Sequence, residues 1–149
     1  MTLIKVCGVT STEDARMLAE SDVDWVGLNF WPKSKRFVDR RKAAAIVAEL
    51  RRTKPAIKIV GLFVNQDAAE IESTADDTGI DYIQLHGDEN PEFAQRFAQR
   101  CIKALPLSRV EDLELISNYS CPWILVDSQS PGRGGSGLQA DWDLAAQAG

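Results

Sequence analysis

Short apolar runs alternate with amphipathic segments six times along this chain, and few folds tolerate that rhythm. The runs LIKV (3–6), WVGLNF (25–30), IKIVGLFV (57–64), YIQL (82–85), CIKAL (101–105) and PWILV (122–126) are too short for buried helices and read as strands. Helix signals sit between them. Ser11 and Asp14 have the spacing of a capping box, ahead of Ala15, Leu18 and Ala19 on one face. Asp39 caps a segment whose apolar face is Ala43, Ile46, Val47 and Leu50. Asp67 and Glu70 open another, with Ile71 and Ala75 inward and Gly79 placed to end it. Asn90-Pro91 is a cap followed by proline at the first helical position, with Phe93 and Phe97 on one face. Ser108 and Glu111 repeat the capping-box spacing before Leu113 and Ile116, and Asp141 caps a last helix starting at Trp142. Such alternation predicts an α/β fold, a parallel sheet covered by helices, with right-handed crossovers. An open doubly wound sheet and a closed eight-stranded barrel both fit. The first turn, CGVTST, lacks the GxGxxG and Walker patterns and so disfavours a dinucleotide fold.

The 149 residues are one domain's worth of sequence, read as a single domain over 1–149. At this length a folded chain buries about 70% of its surface. With 17 basic against 22 acidic residues the net charge is −5, which lacks the cationic footprint of a nucleic-acid or anionic-membrane binder. No apolar run approaches the ~20 residues of a membrane span, and the N-terminus does not read as a signal peptide. Three cysteines, Cys7, Cys101 and Cys121, without metal-type spacing point to reduced thiols in a cytoplasmic setting, and one histidine excludes a His-rich metal site.

The strands finish at polar residues: Cys7, Asn29, Asn65, His86, Lys103 or just beyond, and Asp127. In a parallel α/β sheet these positions share one edge, where ligands bind. Strand period two puts Cys7 on the face of Lys5, His86 with Gln84, and Asn29 with Gly27, while Ile4, Val6, Val26, Leu28, Ile83 and Leu85 pack against helices.

The strings KVCGVT (5–10), FWPKSKRFV (30–38), GLFVNQ (61–66), QLHGDE (84–89), VDSQSPGRGGSG (126–137) and DWDL (141–144) occur in an order that resembles the phosphoribosylanthranilate isomerase family across essentially the whole chain. The resemblance implies a (β/α)8 TIM-barrel fold and an Amadori rearrangement in tryptophan biosynthesis, on a small-molecule substrate and without metal or organic cofactor. By motif match Cys7 takes the role of general base and Asp127 that of general acid, and Arg36 grips the anthranilate carboxylate. His86 joins the substrate-binding set, although it also reads as a satisfied structural histidine. Gly134 and Gly135 belong to a loop that closes over the substrate, since Gly-rich loops move readily.

These roles make chemical demands. A thiol acts as a base only as thiolate, so Cys7 needs positive surroundings, for which Lys5 is the candidate source. Asp127 must hold a proton to act as an acid. Arginine suits position 36 because its planar fork pairs bidentately with a carboxylate. Cys101 and Cys121 read as core thiols, and Trp25, Trp123 and Trp142 as packing residues. Lys33, Lys35, Arg40, Arg41 and Lys42 read as a solvated face.

Against the family's eight strand–helix units, the residues are expected to supply six, an incomplete barrel. The loops after strands seven and eight, which hold the phosphate in such barrels, are not among them. Strands one and six are then expected as open edges, covered by a second copy or by a barrel-completing segment. Two other readings stay open: a catalytically inactive barrel fragment or interaction module that needs a partner segment, and a related sugar-phosphate isomerase or epimerase.

Overall fold

The computed structural model describes residues 2–107, residues 110–127 and Ala146. Its elements are β1 (Lys5–Cys7), α1 (Thr12–Ala19), β2 (Trp25–Asn29), α2 (Arg40–Thr53), β3 (Lys58–Phe63), α3 (Ala68–Thr78), β4 (Tyr82–Leu85), α4 (Pro91–Gln95), β5 (Cys101–Pro106), a 3-10 turn at Val110–Asp112 running into α5 (Leu113–Ser117), and β6 (Trp123–Asp127). The strands form one sheet in chain order, β1-β2-β3-β4-β5-β6. Pairing is parallel between β1 and β2, between β2 and β3, and between β5 and β6. The chain clusters into two compact units, Met1–Ile83 and Gln84–Gly149, divided within β4.

In the first unit the helices start where side-chain oxygens relieve unpaired amides. Ser11 Oγ accepts from Asp14 N at 3.0 Å, Asp39 from Lys42 N at 2.7 Å and Asp67 from Glu70 N at 2.8 Å. Helix α3 ends at Gly79, whose φ of +72° is the left-handed conformation that costs a residue with a Cβ. Helix α2 buries Ala43, Ile46, Val47 and Leu50, one face at helical spacing. All of β2 is buried, as is β3 after Lys58, in keeping with strands covered on both faces. Each aliphatic side chain so buried contributes about 1.5–3 kcal/mol. Trp25 packs as read from sequence, its ring 4.6 Å from that of Tyr82.

The first strand departs from expectation. It runs over Lys5–Cys7 rather than 3–6, and Ile4, expected to pack against helices, is 49% exposed, with Leu3 beside it at 46%. The backbone of Ile4 is held, donating to Asp24 Oδ2 and accepting from Asp24 N and Trp25 N. However, β1 is the outermost strand of the order, so its leading side chains have a strand neighbour on one side only among the described residues.

In the second unit Asn90 caps α4 by accepting from Phe93 N at 2.8 Å, with Pro91 in the first turn. Phe93 and Phe97 meet edge to face at 5.8 Å. Strand β5 is buried from Cys101 to Leu105. Trp123, read as a packing residue, is 43% exposed at the start of β6, the other outermost strand. Ser108, the Gly-rich segment 132–137 with Gly134 and Gly135, and the Trp142 helix lie outside the described residues.

At Gly79 an added Cβ would meet only Val47 Cγ1, at 3.9 Å, so the position has room and the cost of a side chain is confined to the backbone. Gly79→Ala is expected to lower stability by about 1–2 kcal/mol, with Gly79→Asn recovering part of it, as urea midpoints would record. A Gly79→Ala variant with the same midpoint as the parent chain would refute the left-handed cap.

Candidate active site

Cys7 is the last residue of β1 and lies opposite Gly27 of β2. That partner has to be small. A Cβ built on Gly27 would stand 2.7 Å from Cys7 Sγ and 3.2 Å from its Cα, so the sulfur occupies the space a larger residue would fill. The turn that follows is anchored on the same strand, since Gly8 N and Val9 N both donate to Gly27 O, at 2.8 and 3.2 Å. Gly8 has φ +87°, and a Cβ there would fall 2.5 Å from Arg36 Cδ and 2.7 Å from its Nε. The exposed Arg36 side chain therefore lies across bare backbone next to Cys7, and its Nη1 donates to Cys7 O at 3.2 Å.

Asn29 sets the segment that carries Arg36. Buried at the end of β2, it accepts from Trp31 N through Oδ1 at 2.9 Å and from Val38 N through its carbonyl at 2.9 Å. Ser34 Oγ then accepts from Arg36 N. Lys5 shares the strand face of Cys7. Burial pulls its ammonium below the usual lysine range, and the charge of an ionised Cys7 pulls it partly back.

The second unit holds a different constellation. His86 follows β4, and Asp127 is the last residue of β6. Gln84 Nε2 lies 3.0 Å from His86 Nδ1, and His86 Nε2 lies 3.0 Å from Asp127 Oδ2. An amide nitrogen only donates, so Nδ1 accepts, and a neutral imidazole then carries its proton on Nε2. His86 consequently donates to Asp127 Oδ2. The sequence placed both residues at strand ends but did not foresee that they touch.

A buried ion pair lies alongside, joining Lys103, read from sequence as a strand-end residue, to Glu89, which was not singled out. Lys103 in β5 is 1% exposed, and its ammonium donates to Leu85 O at 3.3 Å, Gly87 O at 2.8 Å and Glu89 Oε2 at 3.0 Å. Glu89, also buried, accepts from Gly87 N at 2.8 Å through the same oxygen, and Tyr119 OH donates to its carbonyl at 2.9 Å. A lone lysine inside the apolar run CIKAL was the available signal, because a buried charge has to find a partner. The pair pins the backbone just after His86.

Cys7 and Arg36 are thus neighbours in one unit, and His86 and Asp127 are in contact in the other. Strands in chain order with parallel pairing, each ending where ligands bind in such sheets, define the α/β barrel class. The comparisons narrow that class. Residues 4–148 match the model of the N-(5'phosphoribosyl)anthranilate (PRA) isomerase family. The N-(5'-phosphoribosyl)anthranilate isomerase of Geobacter sulfurreducens is 42% identical over 149 residues, covering 99% of this chain and 72% of that protein. The crystal structure of the Thermotoga maritima phosphoribosyl anthranilate isomerase superposes with a TM-score of 0.86 at 39% identity, covering 97% of this chain and 70% of that one. A third, in complex with reduced 1-(o-carboxyphenylamino)-1-deoxyribulose 5-phosphate, gives 0.79 at 37% identity, with 87% and 66% covered. The chain belongs to the phosphoribosylanthranilate isomerase family, and its six described strands form part of that (β/α) barrel type.

The Lys103–Glu89 pair yields a stability test. Lys103→Met leaves the Glu89 carboxylate buried without its cation and is expected to cost about 3–5 kcal/mol. The double variant Lys103→Met/Glu89→Met is expected to regain most of that in urea unfolding. Additive losses in the double variant would show that the two charges do not depend on each other.

Proposed function

We propose that the chain catalyses the isomerisation its family is named for, converting N-(5'-phosphoribosyl)anthranilate to 1-(2-carboxyphenylamino)-1-deoxyribulose 5-phosphate in tryptophan biosynthesis, with Cys7 as general base and Asp127 as general acid. The observation that carries the reading is the family match over residues 4–148, within which both residues stand last in their strands. A relative's structure holding a reduced form of the product supports the substrate class.

In this mechanism Asp127 protonates the furanose ring oxygen, and the ring opens to an iminium. The Cys7 thiolate then takes the proton from the second sugar carbon, and the resulting enolamine tautomerises to the ketose. Gln84 and His86 act as positioning residues. With His86 donating to Oδ2, the proton that Asp127 delivers belongs on Oδ1. Arg36 spends Nη1 on Cys7 O, and its other N–H groups are the donors offered to the anthranilate carboxylate. Gly134 and Gly135 keep their loop-closing role on sequence grounds alone. A cytoplasmic setting rests on the sequence reading of three cysteines without metal-type spacing as reduced thiols.

The substrate is fluorescent, so its disappearance on adding protein reports turnover directly. The assay is to be run on the chain alone and on the chain joined to the part of the Geobacter sulfurreducens relative that it leaves unmatched. Turnover in the first is expected under the proposed function. Turnover only in the second would support the reading in which a further segment is needed, and turnover in neither would overturn both. In the active form, Cys7→Ala and Asp127→Ala are each expected to reduce kcat by about 10²–10⁴-fold with unchanged unfolding midpoints. Gln84→Leu is expected to lower kcat and displace the pH profile while KM holds, because it releases the His86 tautomer. A profile identical to that of the parent would remove Gln84 from the mechanism.

A further inference from the structure

Cys101 is a core thiol as read from sequence, Cys121 is only partly buried, and the chemistry above uses neither. Cys101 opens β5 and is fully buried, whereas Cys121 sits two residues before β6 and is half-exposed. The parallel register, with Ile102 opposite Trp123 and Lys103 opposite Ile124, holds the two strand starts side by side. The sulfurs are 2.8 Å apart, about 0.8 Å beyond the length of a disulfide bond.

We propose that these two thiols are an oxidative modification site, in which Cys121 attacks a low-molecular-weight disulfide and Cys101 resolves the product into an intramolecular Cys101–Cys121 bond. The division of labour follows from position. Cys121 is the more exposed residue of the two, and Cys101 is fully buried with its sulfur 2.8 Å away. The electrostatics agree. The hydrogen bond with Cys101 holds the Cys121 thiol below the usual cysteine range against the opposing effect of burial, and the Lys103 ammonium adds to it. The same bond, with burial, holds Cys101 above that range, so it keeps its proton until the second step. A thiolate at the accessible sulfur is what exchange chemistry requires.

The reaction balances with glutathione disulfide as oxidant. The Cys121 thiolate bonds to one glutathione sulfur and expels the other as thiolate. Cys101 then loses its proton, attacks Cys121 Sγ and expels the second glutathione. Two protein thiols are oxidised, two electrons reduce the glutathione disulfide, and the protons released leave with the two reduced glutathiones. The bond would close a loop of the segment between residues 101 and 121 and tie β5 to β6 beside the Lys103–Glu89–Tyr119 cluster. It is independent of the isomerase reading, since neither sulfur takes part in that chemistry.

The test uses the folded chain, glutathione disulfide, alkylation of remaining thiols and peptide mapping by mass spectrometry. Two of the three thiols are expected to disappear together, with Cys7 left alkylated and one peptide pair linked through 101 and 121. Cys101→Ser is expected to stop at glutathione on Cys121, and Cys121→Ser to leave position 101 unmodified. Because Cys101→Ser places a polar group in the core, the parent chain supplies the deciding measurement, and Cys7→Ser confirms it by forming the same link at the same rate. A parent chain that stops at the mixed disulfide, that loses Cys7 first, or that forms the 101–121 link only in denaturant would overturn the proposal.

Discussion

Parallel pairing in chain order is the constraint from which the rest follows. Once β1, β2 and β3 run in one direction, every return passes through a helix, and each strand hands its last residue to a loop at the same edge. A residue at such an end is half in the ladder and half out of it, fixed by its backbone yet open to a ligand. Cys7 shows what that demands of its neighbour. The ladder places residue 27 directly opposite, and only a residue without a side chain leaves space for sulfur there. Glycine is a poor strand former, and its presence in the middle of a fully buried strand is explained by the group it faces rather than by the strand that contains it.

The second unit meets the same problem with charge instead of space. A lysine inside an apolar strand would be prohibitive alone, since an unpaired buried ammonium carries a desolvation penalty of several kcal/mol. Lys103 escapes it because two carbonyls and one carboxylate receive its three N–H groups. Two of those acceptors belong to residues 87 and 89, immediately past His86. The pair therefore holds in place the backbone on which the imidazole is mounted. Well-packed apolar groups of similar volume often replace a buried ion pair without loss of stability, yet no apolar pair would reproduce the hydrogen bonds that fix Gly87.

Elements whose signals are local were legible in the sequence. Ser11, Asp39, Asp67 and Asn90 all accept the amide three residues on, as their spacing required, and Gly79 ends its helix in the left-handed region. The strand ends Cys7, Asn29 and Asp127 were legible too, because hydrophobic runs stop where the polar edge begins. What the sequence hid depends on neighbours distant along the chain. The exposure of Leu3, Ile4 and Trp123 is decided by which strands stand outermost, and an apolar run reads the same on an edge as in the centre. The Lys103–Glu89 and Cys101–Cys121 contacts were hidden for the same reason. Each joins residues far apart along the chain, and alternation along one strand does not say which residue of another it will meet.

The Gln84–His86–Asp127 chain bears on how a carboxylate that accepts a hydrogen bond can also serve as an acid. The hydrogen bond from His86 occupies one oxygen of the carboxyl and leaves the other to carry a proton. With Gln84 fixing the proton of His86 on Nε2, Oδ2 is an acceptor in either state of Asp127, behaving as carboxylate oxygen in one and as carbonyl oxygen in the other. Protonation at Oδ1 then leaves the contact with His86 intact, and the carboxyl need not rotate between donating its proton and regaining it. Had the amide of Gln84 been an acceptor, Nε2 would be bare and Oδ2 itself would have to carry the proton, pointing it at the histidine rather than at a substrate. In the proposed mechanism, one amide nitrogen two residues along the strand decides which way the acid faces.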